Sequence, residues 1–227
     1  MAIPISDGAI RRGPSLAEQA YDTLARMIIS GSIAPGAVLS ENDLARQLAI
    51  SRSPLREAIR RLQDERMLDE SGPRGFSVPP ITTEFVTDLY QVRRALEGEA
   101  ARLARGIPAS ELRRARQQMR EIAIELDKGN GSPFTESDFD FHNLFIGHSG
   151  NPMLVQLIQR LRGPIQRVRV FANPLIDHIH DSFHEHEVML SAMEDGDSHA
   201  LQVSTLAHID GIASRLLQHI DKVEVAG

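Results

Sequence analysis

The segment ISRSPLREAIRRLQDERML, residues 50–68, has the spacing of an amphipathic helix with a basic outer face. A buried apolar stripe is predicted at Leu55, Ala58, Ile59 and Leu62. Ser53, Arg56 and Arg60 then point the opposite way. Ser53 is a suitable N-cap, and Pro54 suits the first helical position because a backbone N–H there has no partner within the helix. The segment is therefore predicted to present a hydroxyl and guanidinium groups from one exposed face.

The residues on either side of this helix complete a small domain. An amphipathic helix is expected at 16–28, and a short second helix begins after Ser40, whose hydroxyl can cap it, and ends near Leu48. Residues 68–79, LDESGPRGFSVP, carry a Gly-Pro-Arg-Gly turn between extended stretches. This pattern predicts a small hairpin with Arg74 at its tip. Two short helices and then a longer basic helix, in this order, indicate a helix-turn-helix, and the hairpin follows it.

The arginines concentrate in this domain although the whole chain is acidic. The net charge is -6, yet residues 46–61 contain Glu57 as their sole acidic residue among several arginines. A helix that presents arginines and a hydroxyl from its N-terminal end can enter the major groove of DNA. For arginines alone, a solvated and salt-bridged helix face is the alternative interpretation. The order of helices and hairpin favours DNA binding through Ser53, Arg56 and Arg60, with Arg74 against the minor groove or the backbone.

Composition and breaks along the chain predict two domains. The chain has 227 residues, 41% of them hydrophobic, and no cysteine, which excludes disulfides and thiolate metal sites. No charged and then apolar leader and no run of about eighteen apolar residues occurs, so a cytoplasmic protein without a membrane segment is expected. The expected parts are a flexible leader at 1–14, a DNA-binding domain at 15–79, a linker at 80–83, a helical domain at 84–222 and a tail at 223–227.

Beyond Pro80 the pattern is helical and shows no convincing strand. Helices are predicted at about 83–106, 109–128, 134–148, 152–171, 175–195 and 198–222. The Gly163-Pro164 pair should kink the fourth of these six helices, because proline lacks the backbone donor and clashes with the preceding turn. The expected fold class is mainly α, with an N-terminal winged helix-turn-helix, a small β-hairpin wing and a C-terminal all-α helical bundle.

The segment TESDFDFHNLF, residues 135–145, places polar side chains on an apolar helix face. Asp138 and His142 share this face with phenylalanines at steps of three and four, and an unpaired buried charge costs several kcal/mol. In the helix before the last, His186 alone among the histidines falls on the apolar stripe, and His208 lies at the edge of the last stripe. Each histidine taken singly is more simply interpreted as a core or surface residue than as a metal ligand. One aspartate and three histidines together suit Zn²⁺ or another divalent transition metal.

The first half of the chain resembles a known family. ISGSIAPGAVLSENDLARQLAISRSPLREAIRRLQDERML, followed by RGFSV, is similar to the winged helix-turn-helix of GntR-type bacterial transcription regulators over about residues 16–79. The resemblance implies that Arg52, Ser53 and Arg56 contact DNA. It also implies that Gly75 is the glycine of the wing.

The second half, roughly residues 84–222, resembles the all-helical FCD ligand-binding domain of the FadR subfamily, in its six-helix, VanR-like form. The segments DFDFHNLF, SGNP and HEVMLSAMEDGD carry this likeness. The resemblance implies the metal ligands Asp138, His142, His186 and His208, and a small carboxylate effector that binds through the metal. Arg93 and Asn151 are the expected effector-binding residues, while Arg94 is expected to face solvent. Arg167 and Arg169 are weaker candidates, with a surface basic pair as the alternative.

These observations favour one function over two alternatives. The expected protein is a homodimeric transcription regulator, a repressor, which binds a palindromic operator and responds to a small organic acid at a divalent metal ion. Zinc is the expected ion, with nickel, manganese or iron as alternatives. A purely structural metal is the second interpretation. A metal-dependent hydrolase is the third, but no further carboxylate or histidine stands out as a general base, and the helix-turn-helix would remain unexplained.

Overall fold

The protein folds into two compact units, which divide the chain between Pro80 and Ile81. The computed structural model describes residues 13–72, 75–171 and 177–226. Nearly all of the predicted leader lies outside these residues. No helix in the described part combines the length and the apolar character needed to cross a membrane.

In its described residues, the first unit has three helices and a small antiparallel sheet. Its elements are α1 (Leu16–Ile29), β1 (Val38–Ser40), α2 (Glu41–Gln47), α3 (Arg52–Asp64), β2 (Asp69–Glu70) and β3 (Gly75–Ser77). The strand order is β1-β3-β2, and Phe76 of β3 pairs with Leu39 on one side and with Glu70 on the other. The predicted hairpin is confirmed as β2 and β3. Strand β1 was not predicted, because a strand of 3 residues is too short to show alternation.

The helix starts follow the capping residues, with one correction. The predicted cap of α2 is confirmed, since the Ser40 hydroxyl accepts from the backbone N–H of Asp43. For α3 the prediction is wrong by two positions, because the N-cap is Ser51 and Ser53 already lies inside the helix. Pro54 therefore occupies the first turn but not its first position. Proline fits anywhere in the first turn because the backbone N–H groups of that turn have no intrahelical partner, so the N–H that proline lacks is not needed.

The predicted apolar stripe of α3 is confirmed as the centre of the first unit. Its members Leu55, Ala58, Ile59 and Leu62 are all buried. Of these, Leu55, Ile59 and Leu62 pack in one cluster with Leu24 and Ile28 of α1. Met67, Leu68 and Val78 near the sheet belong to the same cluster. Because this face is buried, the arginines of α3 lie on the opposite, exposed face.

The second unit contains helices and no strand among its described residues. Its elements are α4 (Thr83–Leu103), α5 (Ala109–Asp127), α6 (Ser132–Gly147), α7 (Pro152–Arg160), α8 (Arg162–Phe171), α9 (Asp177–Glu194) and α10 (Ser198–Ala226). The predicted fourth helix is in fact two helices, so that the expected six become seven. The break falls at Leu161, the C-cap of α7, and Gly163 and Pro164 lie in the first turn of α8. Proline is tolerated in a first turn because its missing N–H would have no intrahelical partner there. One helix therefore ends before Pro164 and a new helix begins, instead of a single helix kinking at the proline.

Aromatic side chains from α6 and α9 fill the core of the second unit. Phe134, Phe141 and Phe145 of α6 are buried beside Phe183 of α9. Helices α4 and α10 also approach closely, since a Cβ added to Gly98 would lie 2.6 Å from Cδ2 of Leu206. This packing turns one face each of α4, α6, α9 and α10 toward a common interior. The fold class predicted from the sequence is confirmed.

Candidate metal centre and nucleic-acid interface

The structure brings together the four side chains that the sequence predicted as metal ligands. Asp138 and His142 come from α6, His186 from α9 and His208 from α10, and all four are buried. Their candidate ligand atoms lie within 4.8 Å of one another. The Nε2 atom of His186 is 3.2 Å from Nε2 of both other histidines. It is 3.5 Å from Oδ1 of Asp138.

These distances fit a bound divalent cation better than they fit hydrogen bonding alone. Zinc bonds of about 2.0–2.1 Å place tetrahedral ligand atoms about 3.3–3.4 Å apart, close to the separations around His186. One ring nitrogen carries at most one proton, so Nε2 of His186 cannot satisfy all three of its neighbours through hydrogen bonds. Oδ1 of Asp138 is buried without a hydrogen-bond partner in the described part of the chain. A cation would satisfy both groups, and the residues therefore fit a metal ion.

Two further carboxylates lie within hydrogen-bond distance of the histidine rings. Oε2 of Glu97 lies 2.6 Å from Nδ1 of His142, and Oε2 of Glu185 lies 2.7 Å from Nδ1 of His208. When each Nδ1–H donates to its carboxylate, the lone pair at Nε2 faces the centre, which is the usual outer arrangement of a histidine metal site. Sequence analysis missed both glutamates. The only local signal is that Glu97 follows Arg93 by one helical turn, which is common in helices without any site.

Electrostatics hold these donors in the forms that bind cations. Burial, followed by the neighbouring imidazoles, lowers the pKa of His186 and His208 well below the ordinary value, so both rings are neutral at pH 7. Burial opposes ionisation of Asp138, yet the guanidinium of Arg169 and the imidazoles hold its pKa below its usual range. Burial likewise opposes ionisation of Glu97, but Arg93 and His142 outweigh it and lower its pKa to about 2.

Polar atoms that need a partner extend beyond the four ligands. Arg93 is buried, and its Nε donates to Oε1 of Glu97 at 2.7 Å. Its Nη1 atom, the hydroxyl of Tyr90 and the hydroxyl of Thr205 are buried without a hydrogen-bond partner among the described residues. Thr205 precedes His208 by three positions on α10 and shares its face. The guanidinium of Arg93 lies 5.6 Å from the centre of the Tyr90 ring. These atoms form a set of donors next to the candidate metal centre.

The other two candidate arginines are not a surface pair, and that alternative is wrong. Arg167 is buried, with its guanidinium 5.9 Å from the centre of the Phe85 ring. Arg169 donates through Nη1 to Oδ2 of Asp138 and thus contacts the candidate metal centre directly. Both side chains turn inward because α8 packs into the second unit, and the sequence pattern does not show this contact. Arg169 therefore neutralises part of the charge that a bound cation would meet.

Two remaining residues lie away from the centre. Arg94 is half-exposed, as expected, and its Nε donates to Oδ1 of Asp210 at 2.8 Å. Asn151 is exposed at the N-cap of α7, where its Oδ1 accepts from the backbone N–H of Leu154 at 3.1 Å. This contact gives Asn151 a capping role, and its predicted role in effector binding stays a prediction.

The predicted DNA-binding side chains lie on one exposed face of the first unit. Arg52, Ser53, Arg56 and Arg60 are all exposed on α3. A cleft of about 470 Å³ opens between α2, the first turn of α3 and the sheet, and Arg52, Arg56 and Gly75 are among the residues that line it. Arg74, predicted at the tip of the hairpin, lies outside the described residues. The arrangement is that of a winged helix-turn-helix, a motif in which the recognition helix typically enters the major groove of DNA.

Glu41 is a feature of this face that sequence analysis missed. Its Oε1 accepts from Nε of Arg56 at 2.9 Å, and its side chain is only 13% exposed whereas that of Arg56 is 65% exposed. Glu41 opens α2, 15 positions before Arg56, so helical spacing offers no sign of the contact. One edge of the guanidinium is thus held in place, and its terminal nitrogens stay available for a ligand.

Gly75 serves the geometry of the wing. Ser71 donates through its backbone N–H to the carbonyl oxygen of Gly75 at 2.9 Å, which closes the hairpin. A Cβ added to Gly75 would collide with the backbone oxygen of Ser71. Glycine is therefore required here by the approach of two backbones.

Comparisons with known proteins agree with this geometry. Residues 16–78 match the bacterial regulatory proteins of the gntR family, and residues 88–211 match the FCD domain. The chain is 30% identical over 202 residues to the Nta operon transcriptional regulator of Aminobacter aminovorans, covering 86% of this chain and 91% of that protein. It is 27% identical over 205 residues to the HTH-type transcriptional repressor RspR of Escherichia coli, covering 88% of this chain and 89% of that protein.

A solved structure shows the same fold. The E. coli protein McbR/YncC superimposes with a TM-score of 0.75 at 21% identity, over 91% of this chain and 99% of that one. The basic winged helix-turn-helix and the helical unit together define a DNA-binding transcription regulator. The chain belongs to the gntR family of bacterial regulatory proteins and carries an FCD domain.

Proposed function

We propose that this regulator is a homodimeric repressor whose DNA affinity is controlled by a small carboxylate effector bound at a divalent metal ion in the FCD domain. The observation that carries the proposal is the convergence of Asp138, His142, His186 and His208 in one buried cluster. Repression is supported by the E. coli relative, which is named a repressor. A palindromic operator follows from geometry, because a twofold dimer of small DNA-binding units reads two related half-sites.

The DNA-binding half of the proposal assigns roles to the exposed face of α3. Arg52, Ser53 and Arg56 approach base edges and phosphates from the N-terminal end of the helix, and Arg60 follows one turn later on the same face. The wing, shaped by Gly75, lies against the minor groove or the DNA backbone, and Arg74 is the residue proposed to contact it. The exposure of the four side chains on α3 supports their assignment.

The metal half of the proposal rests on the chemistry of the donors. Three imidazole nitrogens and one carboxylate oxygen suit zinc best, and they also suit nickel, manganese or iron. Such an ion supplies a Lewis-acidic position to which a carboxylate can bind. Glu97 and Glu185 hold two of the histidine rings, and Arg169 holds the second oxygen of Asp138.

The effector class follows from the donors beside the metal ligands. Nη1 of Arg93 is a buried cationic donor, and Tyr90 and Thr205 add hydroxyls that can donate or accept. Such a set fits a small organic acid with oxygen-rich substituents, since arginine and carboxylate form strong charge-assisted hydrogen bonds. The effector changes DNA affinity only to the extent that it binds two arrangements of the protein with different affinity.

The metal assignment is tested by substituting one histidine and a matched neighbour. His186→Ala removes a buried ligand, whereas His184→Ala removes an exposed histidine of the same helix, which pairs with Glu187. After incubation with zinc and removal of excess, elemental analysis should find about one ion per chain in the wild type and in His184→Ala, and little in His186→Ala. Stoichiometric zinc in His186→Ala would remove His186 from the site.

The DNA assignment is tested independently of the metal. A binding sequence is first selected from random duplexes with the wild-type protein, and affinity is then measured by gel shift at fixed salt. Arg56→Ala should weaken binding by about 1–3 kcal/mol if Arg56 reads a base edge. Arg113→Ala, an exposed arginine on α5, serves as the control and should leave affinity within about 0.5 kcal/mol. Unchanged affinity in Arg56→Ala would contradict the assigned recognition helix.

A purely structural ion is a second candidate, favoured by the complete burial of the four ligands. An ion that links α6, α9 and α10 would stabilise the fold whether or not an effector exists. Treatment with a chelator separates the two roles. Loss of helical circular dichroism indicates a structural ion, whereas a folded protein whose DNA binding no longer responds to organic acids indicates a sensing ion.

A further inference from the structure

We propose that Glu185 is a positioning residue for the candidate metal centre and that Arg215 holds it in place. On this proposal, the Glu185 carboxylate fixes the ring orientation and the tautomer of His208. The inference rests on the proposed metal function and adds to it an outer network that reaches the protein surface. Glu185 does not itself touch the ion.

The geometry of this network is specific. Oε2 of Glu185 lies 2.7 Å from Nδ1 of His208. Arg215 contacts both carboxylate oxygens, with Nη1 3.0 Å from Oε1 and Nη2 3.1 Å from Oε2. Nη2 also donates to the hydroxyl of Ser182 at 3.0 Å. A bidentate pair with a third contact restricts the carboxylate far more than a single surface ion pair does.

The hydrogen bond decides which nitrogen of His208 can bind a cation. A neutral imidazole carries its proton on one nitrogen and a lone pair on the other. With Nδ1–H donating to Glu185, the lone pair lies on Nε2, which is 3.2 Å from Nε2 of His186. Without an acceptor at Nδ1, the ring can turn or change tautomer, and both changes remove the lone pair from the centre.

Space for the ion pair is provided on α10. A Cβ added to Gly211 would lie 3.1 Å from both Oε1 of Glu185 and Nη1 of Arg215. The glycine thus lets the carboxylate and the guanidinium lie against the helix backbone, one turn from His208 and from Arg215. This close approach is a second observation, independent of the hydrogen bonds, that the pair occupies a defined place.

The two outer carboxylates differ in a way that makes Glu185 the better test. The side chain of Glu97 is 3% exposed and is bound to a buried arginine. The side chains of Glu185 and Arg215 are 28% and 17% exposed. Removing the Glu185 charge therefore leaves a partner that water can solvate, so the fold should survive the substitution.

The experiment compares Glu185→Ala and Glu185→Gln with the wild-type chain. Glu187→Gln is the matched control, because Glu187 lies on the same helix and pairs with the exposed His184 instead of a ligand. Zinc affinity is measured by competition with a chromophoric chelator. Glu185→Ala should bind zinc about 10–100-fold more weakly, as is typical for loss of an outer partner. Glu185→Gln keeps an acceptor for Nδ1–H and should lose less, and Glu187→Gln should match the wild type.

A spectroscopic readout separates positioning from simple stabilisation. The visible absorption of bound Co²⁺ depends on its ligands and their geometry, so Glu185→Ala should alter it by letting the His208 ring turn, while Glu187→Gln should not. Urea unfolding of the metal-free variants reports any loss of stability separately. If Glu185→Ala does not fold, the Gln variant alone must show reduced zinc affinity.

Each outcome has a defined meaning. Zinc affinity within about threefold of the wild type in a folded Glu185→Ala, with an unchanged Co²⁺ spectrum, overturns the positioning role alone. A wild-type chain that binds neither zinc nor Co²⁺ overturns the proposed metal function and the positioning role together. Weakened zinc affinity with an altered spectrum supports both.

Discussion

The ion pair between Arg93 and Glu97 permits a quantitative prediction about the interior of the FCD domain. Its side chains are 2% and 3% exposed, with Nε of Arg93 2.7 Å from Oε1 of Glu97. Glu97→Gln keeps the shape of the side chain and removes its charge. The substitution removes the counter-charge that is hydrogen-bonded to the buried guanidinium, and breaking a buried ion pair in this way typically costs about 3–5 kcal/mol. The lowered pKa of Glu97, about 2, has the same origin in Arg93 and His142, which outweigh the effect of burial.

A second contact adds to this cost. Glu97 uses both carboxylate oxygens as acceptors, Oε1 toward Arg93 and Oε2 toward Nδ1 of His142. A glutamine offers one acceptor and one NH₂ group, so one of the two donors faces another donor as long as His142 keeps its proton on Nδ1. The expected loss in the free energy of unfolding is therefore about 3 kcal/mol or more, since a buried donor without an acceptor itself costs about 1–3 kcal/mol.

Urea unfolding of chelator-treated protein, followed by circular dichroism, measures this loss without a contribution from bound metal. Glu99→Gln is the control, because Glu99 lies on the same helix and pairs with Arg102 where both side chains are about half-exposed. That variant should lose about 0–1 kcal/mol. Replacing both buried charges, in Arg93→Met with Glu97→Leu, should recover most of the loss seen in Glu97→Gln. Equal losses in Glu97→Gln and Glu99→Gln would refute the reasoning.

Three further substitutions test other parts of the structure. Glu41→Ala removes the acceptor that holds one edge of Arg56 and should reduce discrimination against a changed base pair, because a bidentate arginine contact provides about 1–3 kcal/mol of discrimination and a freer guanidinium loses part of it. Identical ratios of Kd for matched and mismatched duplexes would contradict this. Gly75→Ala should distort the wing, because its Cβ collides with the backbone of Ser71, and should destabilise the first unit by about 1–3 kcal/mol in urea unfolding. Thr82→Ala removes the hydroxyl that caps α4 and should cost about 1 kcal/mol, while a loss below about 0.3 kcal/mol would show that water replaces the cap.

Much of the candidate site could be predicted from the sequence because its members repeat with the period of a helix. The stripe of α3 and the pairing of Asp138 with His142 on one face are properties of single helices. The selection of His186 over its exposed neighbour His184 follows from the same period. The convergence of these residues with His208 required the further assumption that the apolar stripes meet in one core.

The errors made from sequence have local causes. The α3 cap was placed at Ser53 because proline is common at the first helical position, although it fits the whole first turn. The break at Leu161 was expected as a kink at Gly163-Pro164 because proline disrupts a helix. A proline, however, locates the end of the preceding helix only to within a few residues. Capping and turn signals of this kind locate a boundary and leave its exact residue open.

The sequence by itself therefore determined which residues line each helix face, which helix is basic, and which four side chains can act as metal ligands. Only the tertiary structure decided that Glu97 and Glu185 orient two of the histidines, that Arg169 contacts Asp138, and that Glu41 holds Arg56. The properties in the first set follow from the spacing of residues within single helices. The contacts in the second set join side chains on different helices. They depend on how packed helices are rotated and shifted relative to one another, and the spacing of residues within one helix does not show this.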